Sequence, residues 1–171
     1  MIMKIHATKP YNLINSTCLN SSYNNPNINY TFCTTSLHAA APATATLHGL
    51  GATSVTLIVR NVTDTRRYTK RLMRNKKWDG YTRQCLADCF HLFSDAIPSA
   101  KQAMRDYDEE RFNDANVEIS STMDAVSTCE NGFKEGRGSS LVSPLKKRNE
   151  DLFQLSAMAL SVMRMIQTGS A

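Results

Sequence analysis

The residues with the most chemistry to offer are the five cysteines: Cys18, Cys33, Cys85, Cys89 and Cys129. Cys85 and Cys89 are four apart, too far for a redox Cys-x-x-C, and a bridge between them along one helix would be strained. No spacing among the five suits a tetrahedral zinc site. Cys89 and Cys129 each lie in a stretch whose apolar residues recur every three or four positions, the period of one helix face. Pairing them across two antiparallel helices closes a loop of about 40 residues, worth roughly 4 kcal/mol in the chain-entropy description. Cys18 and Cys33 flank the dense turn signal Asn24-Asn25-Pro26-Asn27. A bridge there closes about 15 residues for about 3 kcal/mol; the alternative is two free buried thiols. Cys85 is left over, expected as a buried thiol, with a reactive or intermolecular thiol as the sharper reading.

Catalytic constellations are missing from the pattern. There is no Gly-rich phosphate loop, no His-Glu-x-x-His and no Gly-x-Ser-x-Gly, and His6, His38, His48 and His91 are scattered without a partner at ligand spacing. No metal and no cofactor is expected. His38 and His48 flank a linker and are expected to face solvent. Asp106, Asp108, Glu109 and Glu110 read as a solvated turn at a helix end. The run from Arg66 to Lys77 holds seven cations. It reads either as a polyanion site for nucleic acid or acidic polysaccharide, or as a solvated helix end where cations favour the macrodipole. No aromatic interleaving supports base stacking, so no nucleic-acid partner is expected.

The elements that must position these groups are helices. An appended hairpin is expected over 11–40, with 1–10 disordered and a small-residue linker from Ala39 to Thr46. Long amphipathic helices are then expected over about 47–76, 81–107 and 111–134. A last one opens with Ser143 as N-cap and Pro144 at its first position, and runs to about Gln167. Pro98 inside the second predicts a kink rather than a stop. Glycines 136 and 138 end the third. The expected fold is all-α, an up-down-up-down four-helix bundle over 47–168 with the hairpin as an N-terminal extension.

With 171 residues, 42% hydrophobic and 20% charged, the chain fits one globular domain. No stretch approaches the roughly 18–20 apolar residues of a membrane span, so no membrane is expected. Met1 to His6 shows no secretory leader core, so the expectation is either a leader missing from this sequence or a protein that stays in the cytosol. Four N-glycosylation triplets, at Asn15, Asn20, Asn29 and Asn61, nonetheless join the paired cysteines in pointing to the secretory route.

Several segments resemble the plant invertase and pectin methylesterase inhibitor family. They are Asn12-Leu13-Ile14 with Thr17-Cys18, Asn29-Tyr30-x-Phe32-Cys33, Leu47-x-Gly49-Leu50-Gly51, Asp88-Cys89-x3-Phe93-x-Asp95-Ala96, Ala115-Asn116-Val117 and Thr128-Cys129-Glu130-Asn131-Gly132-Phe133. Within the family the chain most resembles the plane-tree pollen allergen branch. The resemblance implies one inhibitor domain over 11–168, the disulfides Cys18–Cys33 and Cys89–Cys129, secretion to the apoplast or cell wall, and no catalysis. It implies one-to-one occlusion of the substrate cleft of a pectin methylesterase or an acid invertase, with a monomer as the expected state. Invertase inhibitors carry Pro-Lys-Phe at the turn before the third bundle helix, where this chain reads Glu110-Arg111-Phe112. Arg111 and Phe112 are therefore the target-binding candidates. The lost Pro and the Arg in place of Lys lean the expectation towards pectin methylesterase. The alternative is a non-inhibitory protein that binds anionic wall polymer or nucleic acid through 66–77.

Overall fold

A computed structural model describes residues 10–136 and 142–169. Among these, all regular structure is helical: α1 (Pro10–Asn24), α2 (Tyr30–Ala40), α3 (Leu47–Met73), α4 (Gly80–Asp108), α5 (Phe112–Glu135) and α6 (Lys146–Thr168). The segment expected to be disordered, Pro10 apart, and Gly138 lie outside the described residues.

The helix starts follow side-chain chemistry. The carboxamide of Asn29, the hydroxyl of Thr46 and the carboxylate of Asp79 each accept from a backbone N–H three residues on, at Phe32, Gly49 and Thr82. α6 departs from expectation. Ser143 and Pro144 form a turn instead of opening the helix: the Ser143 hydroxyl accepts from Leu145 N–H at 3.1 Å, and the helix begins at Lys146. α3 also ends earlier than expected, at Met73, where the Trp78 indole N–H donates to the Leu72 carbonyl at 3.0 Å. The chain turns there, leaving Lys76 and Lys77 in the connection. α4 passes through Pro98 without a break.

α3, α4, α5 and α6 pack in a ring, α3 closing on α6. Neighbours meet start to end. Tyr107 at the end of α4 touches His48 at the start of α3, and Tyr81 at the start of α4 reaches Gly132 near the end of α5. Asn113 at the start of α5 meets Gln167 at the end of α6, and Arg148 at the start of α6 lies over Tyr68 near the end of α3. The core is Leu50, Ile58, Leu86, Phe93, Ile119, Phe133, Leu152 and Met158 with their neighbours. Alanines at 96, 100 and 103 let α4 come close to the ring.

The α1–α2 hairpin is clamped by Cys18–Cys33, Cα atoms 5.7 Å apart. It docks on α6 through Asn29 N–H to Gln154 Oε1 at 2.9 Å and Ser161 Oγ to Ser21 Oγ at 2.8 Å. Cys89–Cys129 joins α4 to α5 with Cα atoms 4.9 Å apart. Cys85 is a buried free thiol.

Candidate functional site

The segment Thr128–Phe133 of α5 is tied to two other helices, α4 and α6. Cys129 bridges to α4, and Glu130 accepts from the buried amide of Asn149 on α6 at 2.9 Å. The Gly132 carbonyl takes two donors from α4, the Tyr81 hydroxyl at 2.5 Å and the Cys85 thiol at 3.5 Å, while Phe133 is fully buried. Cys129, Glu130, Gly132 and Phe133 hold the frame together, while Thr128 and Asn131 stay exposed. Burial pushes the Cys85 thiol upward, with Asp88 and Asp79 adding to the effect and the neighbouring Tyr81 hydroxyl opposing it. A thiol kept protonated is a poor nucleophile, which favours the buried structural reading of Cys85.

The turn between α4 and α5 carries the two target-binding candidates, and its geometry follows from one backbone feature. Glu110 has φ 58°, the left-handed region where a side chain is disfavoured. Its N–H donates to the Tyr107 carbonyl at 3.0 Å, and that of Arg111 to the Asp106 carbonyl at 2.8 Å. This is the Schellman pair that closes a helix C-terminus, with Glu in the place usually held by Gly. The chain doubles back, so that Arg111 and Phe112 lie against the residues five positions earlier.

Arg111 is consequently engaged inside its own turn. Its guanidinium is paired with Asp106 and Glu109, and lies 3.4 Å from Asp114. Its side chain remains 45% exposed, while Asp106 is buried. The solvated turn expected at 106–110 needs correcting here: Asp108, Glu109 and Glu110 are exposed, but Asp106 is not. Burial alone would raise the Asp106 pKa. Hydrogen bonds from Arg111 and from Gln102 (2.8 Å) outweigh it, and the carboxyl is held below its usual value.

Phe112 is half-buried and stands edge-on to Tyr107, ring centroids 5.3 Å apart, and 6.2 Å from the ring of His48. His48 is exposed as expected, but it also stacks on Tyr107 at 4.9 Å. Sequence reasoning missed this role because helix periodicity does not report which residues meet across helix ends. Tyr107 is fully buried, and its hydroxyl donates to the His48 carbonyl at 2.6 Å. Burial, then the neighbouring Asp108, pushes its phenol far above the ordinary range, so it stays a donor. The ring lies so close to Gly51 that a Cβ there would be 2.0 Å from its oxygen. Gly51 is thus what lets α3 and the end of α4 approach.

The four sequons fall on helices or at a helix cap. Asn15 is half-buried, with its amide oxygen 3.3 Å from the His38 ring. Asn20 is exposed and accepts from Asn24. Asn29 caps α2, and the half-buried Asn61 donates its amide to Leu57 within α3. No group of three or more metal-ligating side chains is found among the described residues. No described helix is long and apolar enough to cross a membrane.

The fold and its cross-links define a disulfide-clamped helical bundle with a helical-hairpin extension. The profile described as "Plant invertase/pectin methylesterase inhibitor" matches residues 12–162, and the chain belongs to that family. The family consists of inhibitors of those enzymes, and this chain is an inhibitor-family protein, not an enzyme. It is 33% identical over 167 residues, 97% of its length and 92% of the other's, to a Platanus acerifolia protein named "Putative invertase inhibitor". It is 23% identical over 152 residues, 88% of its length and 81% of the other's, to the Arabidopsis thaliana "Cell wall / vacuolar inhibitor of fructosidase 2". In fold it is similar to the crystal structure of a mutant form of an Arabidopsis pectin methylesterase inhibitor. The TM-score is 0.71 at 19% identity, covering 92% of this chain and 97% of that one.

Proposed function

We propose that this protein inhibits a pectin methylesterase in the cell wall, as a secreted monomer that covers the enzyme's substrate cleft one to one. The observation that carries this reading is the turn at 106–114. A pocket shaped for a disaccharide is blocked by a side chain that protrudes into it, whereas a cleft open to a long polymer is blocked by a broad, rigid convex surface. Here the turn is folded back: Arg111 is engaged with Asp106, Glu109 and Asp114, and Phe112 leans on Tyr107. Neither is free to act as a probe. Two disulfides make the remaining helical surface rigid, so little conformational entropy is lost on docking.

Acid invertase is the second reading, favoured by the names of the Platanus and Arabidopsis relatives. On that reading the exposed part of Phe112, with Arg111 beside it, enters the sucrose pocket. Titrating purified protein against both enzymes at mildly acidic pH decides between them. Inhibition of the methylesterase alone, unchanged in Phe112→Ala, is the expected result. Inhibition of invertase alone, abolished by Phe112→Ala, would reverse the assignment. No inhibition of either enzyme at micromolar concentration would remove the inhibitor reading for this chain. Glycosylation is proposed at Asn20 before Asn61, since the Asn20 side chain is exposed and the Asn61 amide is occupied.

A further inference from the structure

Half of the chain's twenty Lys and Arg residues fall in two short stretches without Asp or Glu, seven in 66–77 and three in 146–148. The fold brings the two stretches together at one end of the bundle. The guanidinium of Arg148 lies 4.1 Å from the centre of the Tyr68 ring, and that of Arg71 lies 5.3 Å from the same ring. Some of these cations are internally engaged: Arg66 stacks on Phe90 and donates to Ser94, Arg67 pairs with Asp64, and Lys146 and Lys147 pair with Glu150 and Asp151. Six are not. Lys70, Arg71, Arg74, Lys76 and Lys77 are exposed and Arg148 is half-buried, and none of the six takes part in an ion pair among the described residues.

Local helix energetics accounts for only part of this cluster. Lys70 and Arg71 end α3, where the macrodipole favours positive charge. The stretch 146–148 opens α6, where it disfavours positive charge, and the first turn of α6 has no acidic residue. Cations are therefore gathered here against local preference. The opposite end of the bundle is acidic, with Asp108, Glu109, Glu110 and Asp114 exposed. Such a separation of charge attracts a polyanion to one end and repels it from the other.

We propose that this basic end docks a polyanion bearing carboxylates at regular spacing, namely de-esterified polyuronate, the product that a pectin methylesterase leaves behind. The docking itself is argued from charge and geometry, and the identity of the polymer rests on the function proposed above. Guanidinium forks match carboxylates. Nucleic acid fits less well: Tyr68 is covered by two guanidiniums, and Trp78 is half-buried with its indole N–H committed to Leu72, so no open aromatic face remains for a base.

The test is direct binding of the full chain to an oligogalacturonate, to its fully methyl-esterified form and to a single-stranded DNA oligonucleotide of equal charge, at increasing salt and without any enzyme. The oligogalacturonate is expected to bind, the ester to fail, and the affinity to drop steeply as salt is raised. Arg71→Gln/Arg74→Gln/Arg148→Gln should weaken binding by about tenfold or more, and Lys101→Gln, exposed in the C-terminal third of α4, should not. Because Arg71 and Arg148 also pack on Tyr68, a second variant using only exposed positions, Lys70→Gln/Arg74→Gln/Lys76→Gln, should show the same loss. Equal binding of the ester, DNA binding as tight as that of the oligogalacturonate, or unaffected variants would each overturn the proposal. Enzyme inhibition without polymer binding overturns this inference alone; polymer binding without inhibition overturns the enzyme assignment alone.

Discussion

Gly51→Ala is the substitution that most directly probes how the candidate turn is held. By helix propensity alone, replacing a glycine inside α3 with alanine should stabilise the protein by about 1 kcal/mol. The structure requires the opposite sign. The new Cβ would stand 2.0 Å from the Tyr107 oxygen, 2.7 Å from Cζ and 3.0 Å from Cε2, so the ring must move by more than an ångström to reach ordinary contact. Overpacking of this kind costs about 1–3 kcal/mol. Movement also breaks the 2.6 Å bond from the Tyr107 hydroxyl to the His48 carbonyl and strands a buried donor, for about another 1–3 kcal/mol. Net of the propensity gain, we expect destabilisation of about 1–5 kcal/mol, read in urea titrations as a midpoint lower by roughly 0.5–2.5 M for an unchanged slope of about 2 kcal/mol/M. Gly49→Ala is the internal control: its Cβ would meet nothing closer than 3.5 Å, and it should be neutral or mildly stabilising. Tyr107→Phe removes the closest atom, so combining it with Gly51→Ala should cost clearly less than the sum of the single changes. A stabilised Gly51→Ala protein, or strict additivity in the double variant, would refute this account of how α3 meets α4 and of what supports Phe112.

The disulfides differ in loop length. Removing Cys89–Cys129, which closes 40 residues, should cost about 4 kcal/mol, against about 3 kcal/mol for Cys18–Cys33 and its 15 residues, as double Cys→Ala variants compared by denaturation. A thiol count on denatured, unreduced protein should give one, from Cys85, and the native protein should react far more slowly with the same reagent because that thiol is buried. Asp106 has a folded pKa below its ordinary 3.8, so the unfolded chain takes up its proton first as pH falls. The stability it contributes is present above that value and is lost as pH drops from there through the folded pKa. In urea titrations, Asp106→Asn should therefore be less stable than the wild type near neutrality and lose less stability below about pH 4. Glu110→Gly relieves a left-handed residue and should stabilise by about 1 kcal/mol; a loss of stability would show that the Glu110 side chain supports the turn.

The helices were legible because each long segment repeats its apolar residues at helical period, and their caps at Asn29, Thr46 and Asp79 use the side chains that cap most often. The Cys89–Cys129 bridge was legible because both cysteines lie on helix-period stripes, and Cys18–Cys33 because the pair flanks a dense turn signal, Asn24 to Asn27. What stayed hidden depends on contacts between elements. Ser143-Pro144 has the local form of a helix start, yet the Ser143 hydroxyl closes a turn on Leu145 instead. Asp106 belongs to a run of acids that reads as solvated, and only the chain reversal at Glu110 carries Arg111 over it. That reversal gave no local signal, because glycine, the usual marker of a Schellman turn, is absent from it.

The same reversal separates resemblance from mechanism at this turn. In a linear reading, Arg111 and Phe112 look like a cation and an aromatic offered to a pocket. In three dimensions each is paired with the residue five places back, Arg111 with Asp106 and Phe112 with Tyr107, so together they close the end of the bundle. With Asp106, Glu109 and Asp114 around one guanidinium, the cluster carries excess negative charge. A partner that reads this turn as positive would first have to break ion pairs, one of them to a buried carboxylate that would be left without its counter-ion. A rigid, folded-back end of this kind is better suited to being covered or ignored than to being inserted. That favours a target met by the helical surface over one met by a probing side chain.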